Sequence, residues 1–388
     1  MLIALNGKNQ TIHANKVNEE IRGRNLYYCP DCKECVFLKK GVLKVAHFSH
    51  FNQTNCRLFS EGETKEHLQG KQILYDWFIK QGLRCELEAY LPNLNQRPDI
   101  LVWVNQTRII AIEFQCSSMP LKRMEKRTAG YKKNGYDVFW ILGSQFKLTD
   151  KITAFQRLFI YSDNQLTSSL FFLDVSKKNI YLYSNIQQKN ITQRIVYDSY
   201  LINLDYFKLS EVLMMIDKIK RNSKKTKYLY QPKDLIQSHL FLNQGRMYQT
   251  PEIVSFQKYI YQNGDSLISI PKEVYFKVPG QITIKTLPHF WKYILLKWLT
   301  ANKINSVITL NELDNQIDEM IKNKSLVFHP MPLISLEVQK KPIYFYVQLL
   351  IESAILEKNK SNQWVLIKKP YCYKNEQEKL AAFQKDSL

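Results

Sequence analysis

The chain has 388 residues, 45% of them hydrophobic, and carries 55 Lys and Arg against 35 Asp and Glu, a formal net charge of +20 at pH 7. That length admits two or three globular domains, and the excess of positive charge points to a polyanionic partner. No apolar run approaches the roughly 20 residues needed to cross a bilayer, which excludes a helical membrane protein, and no Gly-rich phosphate loop is visible, so nothing suggests an ATPase.

The short apolar start at Met1 predicts a strand rather than the apolar region of a secretion signal, and the expected location is cytoplasmic. Total charge alone is a weak guide, because Lys, Asn, Ile and Tyr are all abundant, as an AT-rich coding sequence would also give. Four of the seven cysteines fall within residues 29–56. Cys29-Pro30-Asp31-Cys32 has the spacing of a zinc knuckle. Residues 36–45 read as a hairpin turning at Lys39-Lys40-Gly41, followed by His47-Phe48-Ser49-His50 and then Cys56. Two knuckle thiolates with two of His47, His50 and Cys56 would complete a tetrahedral zinc site. The expected set is Cys29, Cys32, His50 and Cys56, with His47 the alternative and Cys35 outside it. The rival reading, a redox Cys-x-x-Cys, lacks the βαβ surroundings that such a motif needs. Cys85, Cys116 and Cys372 are read as reduced structural thiols.

Glu63, His67 and Lys71 are spaced i, i+4, i+8 and share one face of a predicted helix whose stop is Gly82. That face is either solvated or lends a carboxylate to a site. Residues 85–91 predict a strand. Ile100–Val104 and Arg108–Phe114 are continuous apolar runs bounded by turn residues, the pattern of buried central strands. Asp99 stands at the mouth of the first. Glu113 and Gln115 project from one face of the second, because i and i+2 in a strand point the same way. A carboxylate inside an apolar strand is costly unless it is paired, here with Arg97 or Arg108, or bound to metal. Together, Asp99, Glu113 and Gln115 suggest a hard divalent cation held against a phosphodiester. A basic helix over Leu121–Asn134, capped by Gly135, and a buried strand over Tyr136–Leu142 complete an α/β sandwich with a mixed sheet.

Leu170–Leu173 and Ile180–Tyr183 predict an added strand pair. An apolar helix-like segment, Leu209–Ile219, runs into the basic stretch Lys218–Lys227, which reads equally as a linker or as a strip that tracks phosphates. Helices are expected over Leu287–Thr300, Leu310–Asn323 and, after Pro342, Tyr344–Leu356. A hairpin over Glu357–Ile367 follows. Three helices and a hairpin resemble a winged-helix-like module, but packing against the preceding domain is the favoured reading, because the helices are apolar and only mildly basic.

The element order, with Asp99 and Glu113-x-Gln115, resembles the PD-(D/E)XK nuclease superfamily, with Gln where Lys is usual. More narrowly, Arg97-Pro-Asp-Ile, Ile112-Glu-Phe-Gln-Cys-Ser, the Glu63-Thr-Lys-Glu-His-Leu helix, Arg127-Thr-x-x-Tyr131, Cys29-Pro-x-Cys and His47-Phe-Ser-His are similar to the competence protein CoiA family. The resemblance implies a restriction-endonuclease-like domain over 59–205 (core 59–150). A zinc-binding β module would precede it over 1–58, with a basic linker over 206–228 and a helical domain over 229–388 after it. It also implies a protein that processes or helps recombine DNA taken up in natural transformation. Asp99, Glu113, the Phe114 carbonyl and Glu63 would then hold Mg²⁺ or Mn²⁺. Gln115 would stand at the catalytic-lysine position, and Arg127 with Tyr131 would form an auxiliary motif. A neutral amide can only hydrogen-bond, so Lys71 or Arg127 would take over the lysine's role. The expected partners are DNA, single-stranded or branched in preference to plain duplex, and recombination proteins. The alternative is a catalytically weak DNA-binding accessory.

Overall fold

The computed structural model describes residues 1–17, 26–41, 44–51, 56, 63–188, 194–223 and 232–385. In the N-terminal module, β1 (Ile3–Leu5), β2 (Thr11–His13), β3 (Tyr27–Tyr28), β4 (Cys35–Gly41) and β5 (Lys44–His50) form an antiparallel sheet in the order β2-β1-β3-β4-β5. Its core is small, built from Met1, Ala4, Tyr27, Val36, Phe48 and the thiols Cys29 and Cys56.

The central domain begins with α1 (Lys65–Lys80), β6 (Arg84–Leu87), β7 (Ile100–Trp103), β8 (Ile109–Gln115), α2 (Leu121–Lys133) and β9 (Asp137–Leu142). Thr64 caps α1 by accepting the His67 N–H at 3.1 Å, and Gly82 follows the helix at φ +73°. Gly135, at φ +80°, ends α2. Strand β8 pairs antiparallel with β7 (Ile100 opposite Ile112) and parallel with β9 (Glu113 opposite Trp140). The short α3 (Ala154–Arg157) and β10 (Tyr161–Ser162) lead to β11 (Ser168–Asp174), β12 (Asn179–Gln188) and β13 (Ile195–Asn203). They extend the sheet to the order β13-β12-β11-β9-β8-β7-β6, with β10 beside β11. The strand pair expected at 170–183 is this β11–β12 ladder, with Leu170 opposite Tyr183.

Both faces of the sheet are covered, which is why its central strands read as unbroken apolar runs. Ile112 and Phe114 pack with Leu74 and Phe78 of α1, whereas Ala111 and Trp140 pack with Met124 and Tyr131 of α2. The segment expected as a basic linker over 206–228 is helical for much of its length. Helix α4 (Leu209–Ser223) buries Val212 and Ile219 in the α1 side of the core, so it belongs to the sheet domain. The rest of the basic stretch, 224–227, and the end of the expected linker at 228 lie outside the described residues.

The C-terminal region comprises α5 (Pro232–Met247), α6 (Pro251–Gln262), α7 (Pro288–Ala301), β14 (Val307–Ile308), α8 (Leu310–Lys322), α9 (Leu336–Glu352), β15 (Leu356–Lys358), β16 (Trp364–Leu366) and α10 (Glu376–Lys385). Its strands pair in the order β14-β16-β15. Helix α9 starts well before the expected Tyr344, because Ser335 caps it and Pro342 sits inside it, buried. Proline removes one helical hydrogen bond and usually marks a boundary, but here its ring packs against Gly280.

Gly70 lets α1 lie directly on β8. A Cβ there would stand 2.0 Å from Cε1 of Phe114, whose ring is buried. Gly70→Ala is therefore expected to destabilise the protein by about 1–3 kcal/mol, the usual range for overpacking a dense core. An unchanged denaturation midpoint would refute this account of the helix–sheet contact.

Candidate active site and metal centre

Strand register puts three acids in a row. Leu87 pairs with Ile100 and Ile100 with Ile112, so the next positions, Glu88 just past β6, Asp99 just before β7 and Glu113 within β8, stand side by side. Glu63, just ahead of α1, joins them, and the four acids line one cleft of about 110 Å³ with His67, Lys71, Gln115 and Arg127. Like charges this close are tolerable only with compensating cations.

Lys71 is the first of these cations. Its side chain is 1% exposed, and Nζ donates to Glu63 Oε1 and to Glu88 Oε1 (2.5 Å), with Asp99 Oδ1 at 3.9 Å. Burial alone would discharge it, but the fields of Glu63, Glu88 and Asp99 outweigh desolvation and hold it protonated. In return, Lys71 overcomes the desolvation of Glu63 and Glu88 and keeps both below the ordinary glutamate range. The Met1 amino group also contacts Glu63. Asp99 Oδ2 accepts from His67 Nε2 (3.1 Å) and from the Phe114 N–H (2.9 Å). Burial would raise its pKa, but His67, Lys71 and that amide together bring it down to about 2.

Glu113 faces α2. Its Oε1 accepts from Arg127 Nε (3.0 Å), from Arg127 Nη2 and from the Tyr131 hydroxyl (2.5 Å). Desolvation nevertheless leaves its pKa above the ordinary value despite Arg127. The predicted partners Arg97 and Arg108 serve elsewhere. Arg97 Nε donates to the Glu88 carbonyl (2.5 Å), and Arg108 pairs with Asp137 at the surface (2.8 Å). Gln115 donates its amide to the Ser117 carbonyl at 2.6 Å.

Glu88 escaped the sequence reading, which saw residues 85–91 as a plain strand. The strand stops at Leu87, and Glu88 adopts φ +49°, an uncommon conformation for a residue with a side chain. It is 2% exposed, and its Oε2 has no hydrogen-bond partner among the described residues. Its importance comes from non-local register, for which the local sequence carries no signal.

In the N-terminal module, the ligand atoms of Cys29, Cys32, His50 and Cys56 all lie within 4.8 Å of one another. Among the described residues only these four form such a group of three or more His, Cys, Asp or Glu ligands. The Cys29 and Cys56 sulfurs are 3.9 Å apart, and Cys32 Sγ is 3.2 Å from His50 Nε2. Two thiolates bound tetrahedrally to zinc at about 2.3 Å would be roughly 3.8 Å apart, so the donor set fits zinc. His47 stands outside the group, its Nδ1 bonded to the Val45 carbonyl (2.9 Å).

A helix, three strands, a helix and a parallel strand, with acids aligned at the strand ends, define a nuclease-like domain of the PD-(D/E)XK kind. Three profiles of one family match the chain: "Competence protein CoiA, N-terminal domain" over residues 10–59, "nuclease-like domain" over 63–217 and "C-terminal domain" over 232–380. The chain belongs to the competence protein CoiA family. A curated relative, Competence protein CoiA of Bacillus subtilis (strain 168), is 35% identical over 133 residues, a match spanning 34% of this chain and 35% of that protein. No solved structure matches. Among the described residues no helix is long and apolar enough to cross a membrane.

Two measurements test this electrostatic and metal-binding picture. Asp99 has a pKa near 2 when folded against an ordinary 3.8. Its pairing thus contributes about 2 kcal/mol of stability. This contribution is present above the unfolded value and disappears as pH falls through the folded one. In Asp99→Asn, unfolding free energy should lose that part of its acid dependence between about pH 5 and pH 2, and an unaltered slope would exclude the pairing. Elemental analysis of the purified chain should find about one zinc per molecule, reduced in Cys32→Ser and retained in His47→Ala.

Proposed function

We propose that this protein is a metal-dependent DNA phosphodiesterase that processes or helps recombine DNA entering during competence. The observation that carries the reading is the alignment of Asp99 and Glu113 on adjacent strand ends, with Glu63 and the buried Lys71 ammonium in the same cleft. Asp99, Glu113, Glu63 and the Phe114 carbonyl are hard oxygen donors of the kind that suit Mg²⁺ or Mn²⁺. Among the described residues no three of the acids converge as closely as the thiol and imidazole group does, so a cation would have to draw them together. The buried Oε2 of Glu88 lies in the same cleft. Such a cation, when bound, lowers the pKa of a water and offsets charge on the attacked phosphate.

The residues around the donors have separable tasks. Gln115, tied to the Ser117 carbonyl, offers the phosphate little. Lys71 carries the positive charge that a lysine at position 115 would supply, delivered from α1 instead of β8. Arg127 neutralises Glu113 and has to share it when a metal binds. Exposed Lys122 and Lys126, with Arg123 at the cleft, give α2 a basic surface along which a DNA backbone can lie. The C-terminal order of helices and strands is that of a winged helix. Within the run α7-β14-α8-α9-β15-β16 that follows this order, α9 is engaged with the sheet domain through Lys341, which donates to Asn164 (3.0 Å), so we assign this region to packing before base reading.

A second reading, a DNA-binding accessory with little catalysis, is favoured by one observation. Each acid already has an internal cationic or hydrogen-bonding partner, which an incoming metal must displace or share. Cleavage of end-labelled single-stranded, duplex and branched DNA with Mg²⁺ or Mn²⁺ separates the two. The nuclease reading expects cleavage that Asp99→Ala and Glu113→Ala abolish while the fold persists. Lys71→Ala should cost at least about 10²-fold, as does the loss of a preorganised charge elsewhere, whereas Gln115→Ala should change the rate little. Cutting by folded Asp99→Ala at the wild-type rate would overturn the assignment.

A further inference from the structure

The two candidate sites are physically joined by the first strand. Along β1 and the residues before it, side chains are divided between two cores. Met1 and Ala4 pack with Cys29, Cys56 and Phe48, whereas Leu2 and Ile3 pack with Leu68 and Leu87 of the sheet domain. The strand is fixed from the module's side at several points. The Phe48 N–H donates to the Met1 carbonyl (2.8 Å), the Ala14 N–H donates to the Leu2 carbonyl (2.9 Å), and Leu5 pairs with Tyr28, the neighbour of Cys29. On the cleft side, the Leu2 N–H donates to Glu88 Oε1 at 3.0 Å. That same oxygen accepts from Lys71 Nζ at 2.5 Å.

Glu88 is therefore the junction. A non-glycine residue in the left-handed region persists only where its surroundings over-determine it. Here the surroundings are the Leu2 amide and Lys71 on its side chain, the Asp99 carbonyl accepting its N–H (2.9 Å), and Arg97 on its carbonyl. Only one of these holds comes from the N-terminal module, whose small core would draw much of its order from a metal at the four ligands.

We propose that the metal-ordered N-terminal module is a positioning element of the acidic cleft: through the Leu2 amide it fixes Glu88, and through Glu88 the ammonium of Lys71. Glu88 is a positioning residue. In treating Lys71 as a working group of the cleft, the proposal rests on the function given above.

The test uses the full chain, loaded with zinc, stripped by a chelator under reducing conditions, and reloaded. Brief lysine acylation followed by peptide mass spectrometry reads the exposure of Lys71, with the exposed Lys65 and Lys80 of the same helix as internal controls. Stripping should speed modification of Lys71 on the order of tenfold, a typical consequence of local opening. It should also raise hydrogen exchange over residues 84–91, leave Lys65 and Lys80 unchanged, and be reversed by zinc. In the zinc-loaded chain, Glu88→Ala should expose Lys71, and Glu88→Gln, which keeps an acceptor for the Leu2 amide, should restore protection. Equal protection of Lys71 with and without zinc overturns the proposal, as does a chain that takes up no zinc at the four ligands. Mn²⁺ binding by the zinc-loaded chain is measured alongside. Its absence would count against the nuclease reading, whereas the acylation result judges the coupling by itself.

Discussion

One buried ammonium holds the centre of this molecule together. Strand pairing forces Glu88, Asp99 and Glu113 into a row, and Glu63 is added from the helix side. Four carboxylates taken out of water would each carry a desolvation cost of several kcal/mol and would repel one another. Lys71 answers three of them from a single position, and Arg127 answers the fourth. The acids and their cations thus explain one another's charge states. Asp99 and Glu63 stay ionised at unusually low pH, Lys71 stays protonated in the interior, and Glu113, with the least compensation for its burial, is the easiest of the four to protonate.

The same arrangement bears on position 115, where the proposed function would need a cation supplied from elsewhere. At position 115 a side chain on β8 faces the cleft, but its amide is spent on the Ser117 carbonyl. A lysine reaching in from α1 needs that helix to lie very close to the sheet. Gly70, immediately before Lys71, meets this need by leaving room for the Phe114 ring. The position of the cation is thereby tied to the absence of a side chain one residue earlier.

What the sequence disclosed and what it withheld follow the range of the interactions involved. Helices α1 and α2 were legible because their C-terminal ends carry local signals, Gly82 in one case and Gly135 in the other, and β7 and β8 because both faces of the sheet are covered. Asp99, Glu113, His67 and Lys71 were legible as spaced polar residues in apolar surroundings. The four clustered ligands stood out as three thiols and an imidazole near a knuckle spacing, and the expected choice of His50 over His47 agrees with the group the fold brings together. Glu88 was hidden because its role depends on residues 11 and 25 positions away, aligned only by strand pairing. The extent of α9 was misjudged for a related reason. A proline reads locally as a stop, whereas Pro342 sits buried inside the helix with its ring close to Gly280.

The junction between the sheet domain and the C-terminal region has a bearing on how the protein comes apart. Met331, Leu333 and Ile334, from the segment before α9, share a core with Trp140, Phe159 and Phe172, and Arg157 donates to the Ile282 carbonyl at 3.0 Å. Apolar sharing of this kind discourages independent hinge motion between neighbours. A chain cut between the two regions would wet the hydrophobic side chains that the missing half normally keeps dry.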